Sequence, residues 1–176
     1  MQTKAIKLLF TKKLILFFFF RSLKENNIPI PDWSLKKPVL GKWLVKDLCG
    51  FGGTEVRRFN KNCIRKKNHF FQKIVEGEHI SVQFYCEKKT MKILSICDQI
   101  FIKREDCPFI IETIITRNVD LNIYKKMKQI CNFLIIKFKL NGINNLDLIL
   151  DKRLNKLIVI ELNARPGLST NILLKK

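Results

Sequence analysis

The chain has 176 residues, 47% hydrophobic and 28% charged, which suits one ordinary domain or two small lobes with a core and excludes a disordered chain. Thirty-four Lys and Arg against 15 Asp and Glu give a formal net charge of +19, a balance that would suit a polyanion. The basic residues are scattered in pairs such as Lys12-Lys13, Arg57-Arg58 and Lys125-Lys126, and Lys, Asn, Ile and Phe are abundant while Gly numbers 7 and Pro 5, so compositional bias accounts for the charge better than a specific nucleic-acid role.

Six cysteines lie at least ten positions apart with no C-x-x-C, and only His69 and His79 could add soft ligands. That pattern argues against structural zinc and for reduced thiols in a cytoplasmic protein. The run Leu14 to Phe20 resembles a signal-peptide core, but no small-residue cleavage site follows, and Arg21 and Lys24 close it far short of a membrane span. It reads as part of a buried helix, with peripheral membrane contact as the minority alternative.

In chain order, residues 4–26 read as a helix ended by Asn26-Asn27, and Pro29 and Pro31 then impose an extended linker. Residues 43–46 read as a strand, Cys49 to Gly53 as a glycine-rich turn, and Thr54 to Phe59 as the returning strand of a hairpin. Phe70 to Val75 is a further strand. Glu76-Gly77 breaks the chain, and two longer strands follow at His79 to Cys86 and Met91 to Phe101. In Leu121 to Phe138 the residues Tyr124, Met127, Cys131, Leu134 and Phe138 step by three and four, a helix with a core stripe that Asn141-Gly142 should stop. Ile143 to Leu150 and Leu157 to Leu162 then form a hairpin about a turn at 151–155. The order predicts an α+β fold rather than a doubly wound sheet.

That last hairpin brings Asp147 roughly opposite Glu161 within apolar runs, where two buried acids repel unless a hard cation or a shared proton lies between them. Asn163, two residues beyond Glu161, adds an oxygen on the same face, and the set describes Mg2+ bound to a nucleotide. Arg165 would stand beside it and fork onto a phosphate. An edge hairpin with exposed acids is the plain alternative. Lys46, before Gly50, Gly52 and Gly53, can aim an ammonium at phosphates under a flexible turn, although the segment lacks the Walker pattern and a simple hairpin turn explains it as well. In Gln72-Lys73-Ile74-Val75 main-chain groups can pair with a purine edge before the Gly77 break makes a hinge between lobes. His79 could reach a ribose hydroxyl there, or be an ordinary edge histidine.

Together, NIPIPDW (27–33), WLVKDLCGFGGTEV (43–56), FQKIVEGEHISVQF (71–84) and GINNLDLIL through VIELNARPG (142–167) resemble the ATP-grasp superfamily of carboxylate-amine ligases. The resemblance implies two lobes, each with an antiparallel sheet and helices, and a nucleotide in the cleft between them. The divisions would be a helical remnant and linker over 1–35, a small lobe over 36–76 and a metal-binding lobe over 77–176. It further implies that Lys46 and the glycines at 50, 52 and 53 bind phosphates, that Gln72, Lys73, Ile74 and Val75 meet the adenine and that His79 meets the ribose. Asp147, Glu161 and Asn163 would bind Mg2+, or Mn2+ in its place, and Arg165 with Lys46 would serve catalysis. The implied reaction joins small-molecule carboxylate and amine substrates through an acylphosphate at the expense of ATP. Cys97-Asp98-Gln99, Pro108-Phe109 and ELNARPG are similar to ligases of tetrahydromethanopterin-type cofactor biosynthesis. Two departures stand out: most of the Rossmann-like N-terminal domain is missing from the pattern, which suggests a partner chain or a non-catalytic homologue, and Asp47 replaces a common proline beside the phosphate lysine. A basic nucleic-acid binder is the third reading.

Overall fold

The computed structural model describes residues 2–48, 50, 53–64, 66–88, 90–102, 104 and 107–170, and of residues 2–10 the helical backbone. It divides into two compact units, one of residues 1–75 and 101–111, the other of residues 76–100 and 112–176.

The first unit opens with α1 (Gln2–Glu25). Asn27 leaves the helix with φ 55°, and the amides of Asn26 and Ile28 both return to the Leu23 carbonyl, so the turn closes before the prolines. The unit's sheet has the order β1 (Trp33–Ser34), β4 (His69–Lys73), β2 (Trp43–Asp47), β3 (Val56–Arg58). Phe20 packs on Trp33 with ring centroids 5.2 Å apart, and Phe59 meets the fully buried Phe71 edge-on at 5.3 Å. The run from Leu14 to Phe20 is not the buried segment the sequence suggests: Phe20 and Leu23 are buried, but Leu14, Ile15, Phe17 and Phe18 are each about half exposed. Seven consecutive apolar residues occupy every face of a helix, and a sheet covers one. The two-residue strand β1 within the proline linker is also unforeseen.

The second unit holds a five-stranded sheet of order β7 (Ile111–Thr116), β6 (Thr90–Phe101), β5 (Glu78–Glu87), β8 (Gly142–Asp151), β9 (Lys156–Asn163), with β6, β8 and β9 each antiparallel to its neighbour in the β6-β5-β8-β9 series. The helix α2 (Leu121–Phe138) packs on β5 and β9. Its buried stripe is Ile123, Met127, Ile130, Cys131 and Leu134, which keeps Met127, Cys131 and Leu134 of the stripe read from the sequence, whereas Tyr124 is exposed and Phe138 only half-buried. Asp120 caps its start by accepting from the Ile123 amide at 2.9 Å. Lys139, in left-handed geometry at φ 51°, ends it before Asn141-Gly142 can. Below the helix lie Ile80, Val82 and Phe84 of β5, Leu146 and Leu148 of β8, and Leu157 and Val159 of β9, all buried. The edge strand β7 has no counterpart in the sequence reading. Among the described residues no helix is long and apolar enough to cross a membrane.

An ion network ties this sheet's strands. Arg117 donates to Asp98 Oδ1 at 2.5 Å and to Glu78 Oε2 at 2.6 Å, and Lys152 reaches Glu78 Oε1 at 2.5 Å. Hydrogen bonds from Lys152 and then Arg117 hold the Glu78 carboxyl below its ordinary value of 4.5.

Because that folded value is depressed, the network's stabilisation is present above the ordinary carboxylate range and lost as pH falls through the folded value. Arg117→Met should cost about 1–2 kcal/mol at neutral pH, discounted for the partly exposed carboxylates, and urea unfolding at constant ionic strength should show a shallower acid loss in the variant than in the native chain. Met127→Ala, in the centre of the stripe, should cost about 2–5 kcal/mol by the same unfolding measurement at neutral pH.

Candidate functional site

Alternation along a strand sends neighbours to opposite faces, and cross-strand partners share a face. Since Leu146 and Leu148 face α2, Asn145 and Asp147 face away. Two polar rows result: Ser81, Asp147 and Glu161 in register, and Gln83, Asn145 and Asn163 in register. Both rows would lose their β9 member in a regular strand. Leu157, Val159, Glu161 and Asn163 share parity, so an unbroken strand would turn both polar residues into the core. The pairing skips Ile160, passing from Leu148 with Val159 to Asp147 with Glu161. This bulge reverses the parity, leaving Leu157 and Val159 under α2 and carrying Glu161 and Asn163 to the polar face.

Asp147 is half-buried and ringed by amides. Its Oδ1 accepts from Gln99 Nε2 at 2.9 Å and Asn145 Nδ2 at 3.1 Å, and Asn163 Nδ2 stands 3.5 Å from Oδ2. Arg165 donates to Asn163 Oδ1 at 3.3 Å and to the Pro166 carbonyl at 3.3 Å. Glu161 is exposed, so the two acids are cross-strand partners but not the buried pair anticipated; β9 is the sheet's edge and solvent reaches its polar face. Beyond Arg165 the chain folds back. A Cβ at Gly167 would lie 2.5 Å from Asn145 Oδ1, so only glycine allows this approach, and the buried Ser169 donates to Gln83 Oε1 at 2.5 Å.

Among the described residues no three His, Cys, Asp or Glu side chains gather as a metal site. The donors available are two carboxylates and an amide oxygen. An all-oxygen set that leaves positions to water and phosphate fits Mg2+ or Mn2+ and not zinc.

In the first unit Lys46 lies in β2, in register with Val56 and Phe70, and shares a sheet face with Gln72, whose partner is Leu44. Asp47 points to the other face, opposite His69, where its carboxylate accepts from the Asn68 amide. Burial lowers the His69 imidazole below its ordinary value, with Asp47 opposing. The Gly50 amide returns to the Asp47 carbonyl at 3.1 Å. Gly53 has φ 78°, and a Cβ there would collide with the Phe109 carbonyl. Gly52, with Cys49 and Phe51, lies outside the described residues. Gln72 is 1% exposed and its Nε2 has no protein partner. Lys73 pairs with Asp32 at 3.0 Å, and the amides of Lys73 and Ile74 are taken by the carbonyls of Asp32 and Lys42, so these two amides are already engaged within the unit. His79, in register with Ile149, belongs to the second unit.

Gln99, Asn145, Ser81 and Gln83 are site neighbours that sequence reasoning missed as site residues. The one available signal was Asn144-Asn145 inside an apolar strand, where asparagine is ordinarily depleted.

Residues 16–169 match the ATP-grasp domain family. Among solved structures, the fold is similar to N5-carboxyaminoimidazole ribonucleotide synthetase from Thermotoga maritima, at TM-score 0.69 and 18% identity, over 90% of this chain and 44% of that one. It is similar to L-amino acid ligase from Bacillus licheniformis at TM-score 0.67 and 19% identity, over 86% and 40% of the two chains. It is also similar to N5-carboxyaminoimidazole synthetase from Staphylococcus aureus, complexed with ADP, at TM-score 0.68 and 15% identity, over 88% and 45%. The chain thus spans less than half the length of these relatives, and no curated protein sequence matches it. With two antiparallel sheets, few helices and a family match over most of its length, the chain belongs to the ATP-grasp family.

Proposed function

We propose that this chain is the nucleotide-binding part of an ATP- and Mg2+-dependent ligase that joins a carboxylate to an amine through an acylphosphate. The observation that carries the reading is the polar sheet face, where Asp147, Glu161 and Asn163 lie on paired strands with Arg165 hydrogen-bonded to Asn163, in a chain of this family.

In this reading Asp147, Glu161 and Asn163 hold the cation, which when bound neutralises phosphate charge and acts as a Lewis acid. Lys46 binds phosphate oxygens with the glycine turn, Gln72 to Val75 meet the adenine and His79 the ribose. A substrate carboxylate oxygen attacks the γ-phosphorus as the bond to the ADP oxygen breaks, and Arg165 offsets charge on the moving phosphoryl group. The amine then attacks the acyl carbon, phosphate leaves, and the amine gives up a proton. No protein nucleophile is required. A cytoplasmic location follows from the same proposal.

The third reading, a binder of nucleic acid through its phosphates, rests on the +19 charge alone. Calorimetric titration with ATP separates the two. Ligase chemistry predicts affinity that rises with Mg2+ and drops by about tenfold or more in Asp147→Asn, together with amine-dependent ADP release when a fitting carboxylate is present. Binding of duplex DNA that weakens steeply with salt and ignores Asp147→Asn, with no Mg2+-dependent ATP binding, would overturn the ligase reading.

A further inference from the structure

Asp147 accepts from side-chain amides on the sheet's polar face. Oδ1 accepts from Gln99 at 2.9 Å and Asn145 at 3.1 Å, whereas the contact from Asn163 to Oδ2 is long at 3.5 Å. Asn145 cannot readily reorient: Ser81 lies 2.8 Å from its Oδ1, the side chain is 4% exposed, and Gly167 closes against it. Gln99 arrives from β6, on the far side of β5, so its amide spans the central strand to reach a carboxylate on β8. Both donors are neutral amides, and they orient the carboxylate by direct hydrogen bonds.

We propose that Gln99 is a positioning residue for Asp147: with Asn145 it fixes the rotamer of the carboxylate that holds a divalent cation. The inference rests on Asp147 being a metal ligand, as proposed above. Fixing a ligand's rotamer through an outer hydrogen bond typically alters metal affinity by about 10–100-fold.

The test is Mn2+ binding to the full chain in the presence of ADP, where no turnover occurs, followed by the electron paramagnetic resonance of free Mn2+. Gln99→Met, close in shape and without a donor, should weaken Mn2+ about tenfold while ADP affinity in EDTA and the unfolding temperature stay unchanged. In an Asp147→Asn background the same substitution should have no further effect, since its route runs through the carboxylate. If Asp147→Asn weakens Mn2+ but Gln99→Met does not, or if the two losses simply add, the positioning role is refuted and the metal site stands. If Asp147→Asn leaves Mn2+ affinity unchanged, the metal reading itself fails and the inference with it. Should Gln99→Met lower the unfolding temperature, Gln99→Asn, which keeps a polar amide but is one methylene short of Asp147, replaces it with the same loss expected.

Discussion

The arrangement of the second unit depends on one local irregularity, the extra residue Ile160 in β9. A strand must alternate, and the sequence places Leu157, Val159, Glu161 and Asn163 on one parity. The first two are required under α2 and the last two cannot be buried there without unpaired polar groups in an apolar layer. Skipping one residue of the ladder resolves the conflict at the cost of a local disruption, and it does so beside the pair that joins Asp147 to Glu161. Bulges commonly re-aim side chains in this way. Here the β9 part of the polar face, Glu161 and Asn163, follows from it.

Acids in this sheet are stabilised by two kinds of partner. Glu78 and Asp98 share the forked guanidinium of Arg117, which ties β5 and β6 to the segment after β7 and compensates both charges. Asp147 receives amide donors from Gln99, Asn145 and Asn163. The chemistry differs in consequence. A guanidinium fork pairs charge with charge, whereas a neutral amide donates to a carboxylate without a formal charge of its own.

Much of this was legible in the sequence because it follows from periodicity. The span of α2, the hairpin of β8 and β9, the hairpin of β2 and β3 and the opposition of Asp147 to Glu161 all come from counting threes, fours and twos. What was not legible depends on neighbours distant in the chain. The edge strand β7 carries little burial signal, and β1 is two residues beside prolines. Lys139 ends α2 in a left-handed conformation that its residue type does not announce. Exposure of Leu14, Ile15, Phe17 and Phe18 follows from how much of α1 the first unit covers, and the exposure of Glu161 from β9 being an edge. Gln99 and Asp147 are 48 residues apart, and no spacing rule links an amide on one strand to a carboxylate two strands away.

Asp47 shows how the same alternation decides whether a charge matters. Read linearly, an acid directly after Lys46 lies beside the phosphate-binding candidate and should oppose an anion. In β2 the two side chains leave on opposite faces: Lys46 on the side of Gln72, Asp47 on the side of His69, with the Asn68 amide on its carboxylate. Sequence adjacency thus does not place the two side chains on one face of the sheet. The acid at Asp47 is accommodated locally, with the Asn68 amide on its carboxylate and His69 as its cross-strand partner.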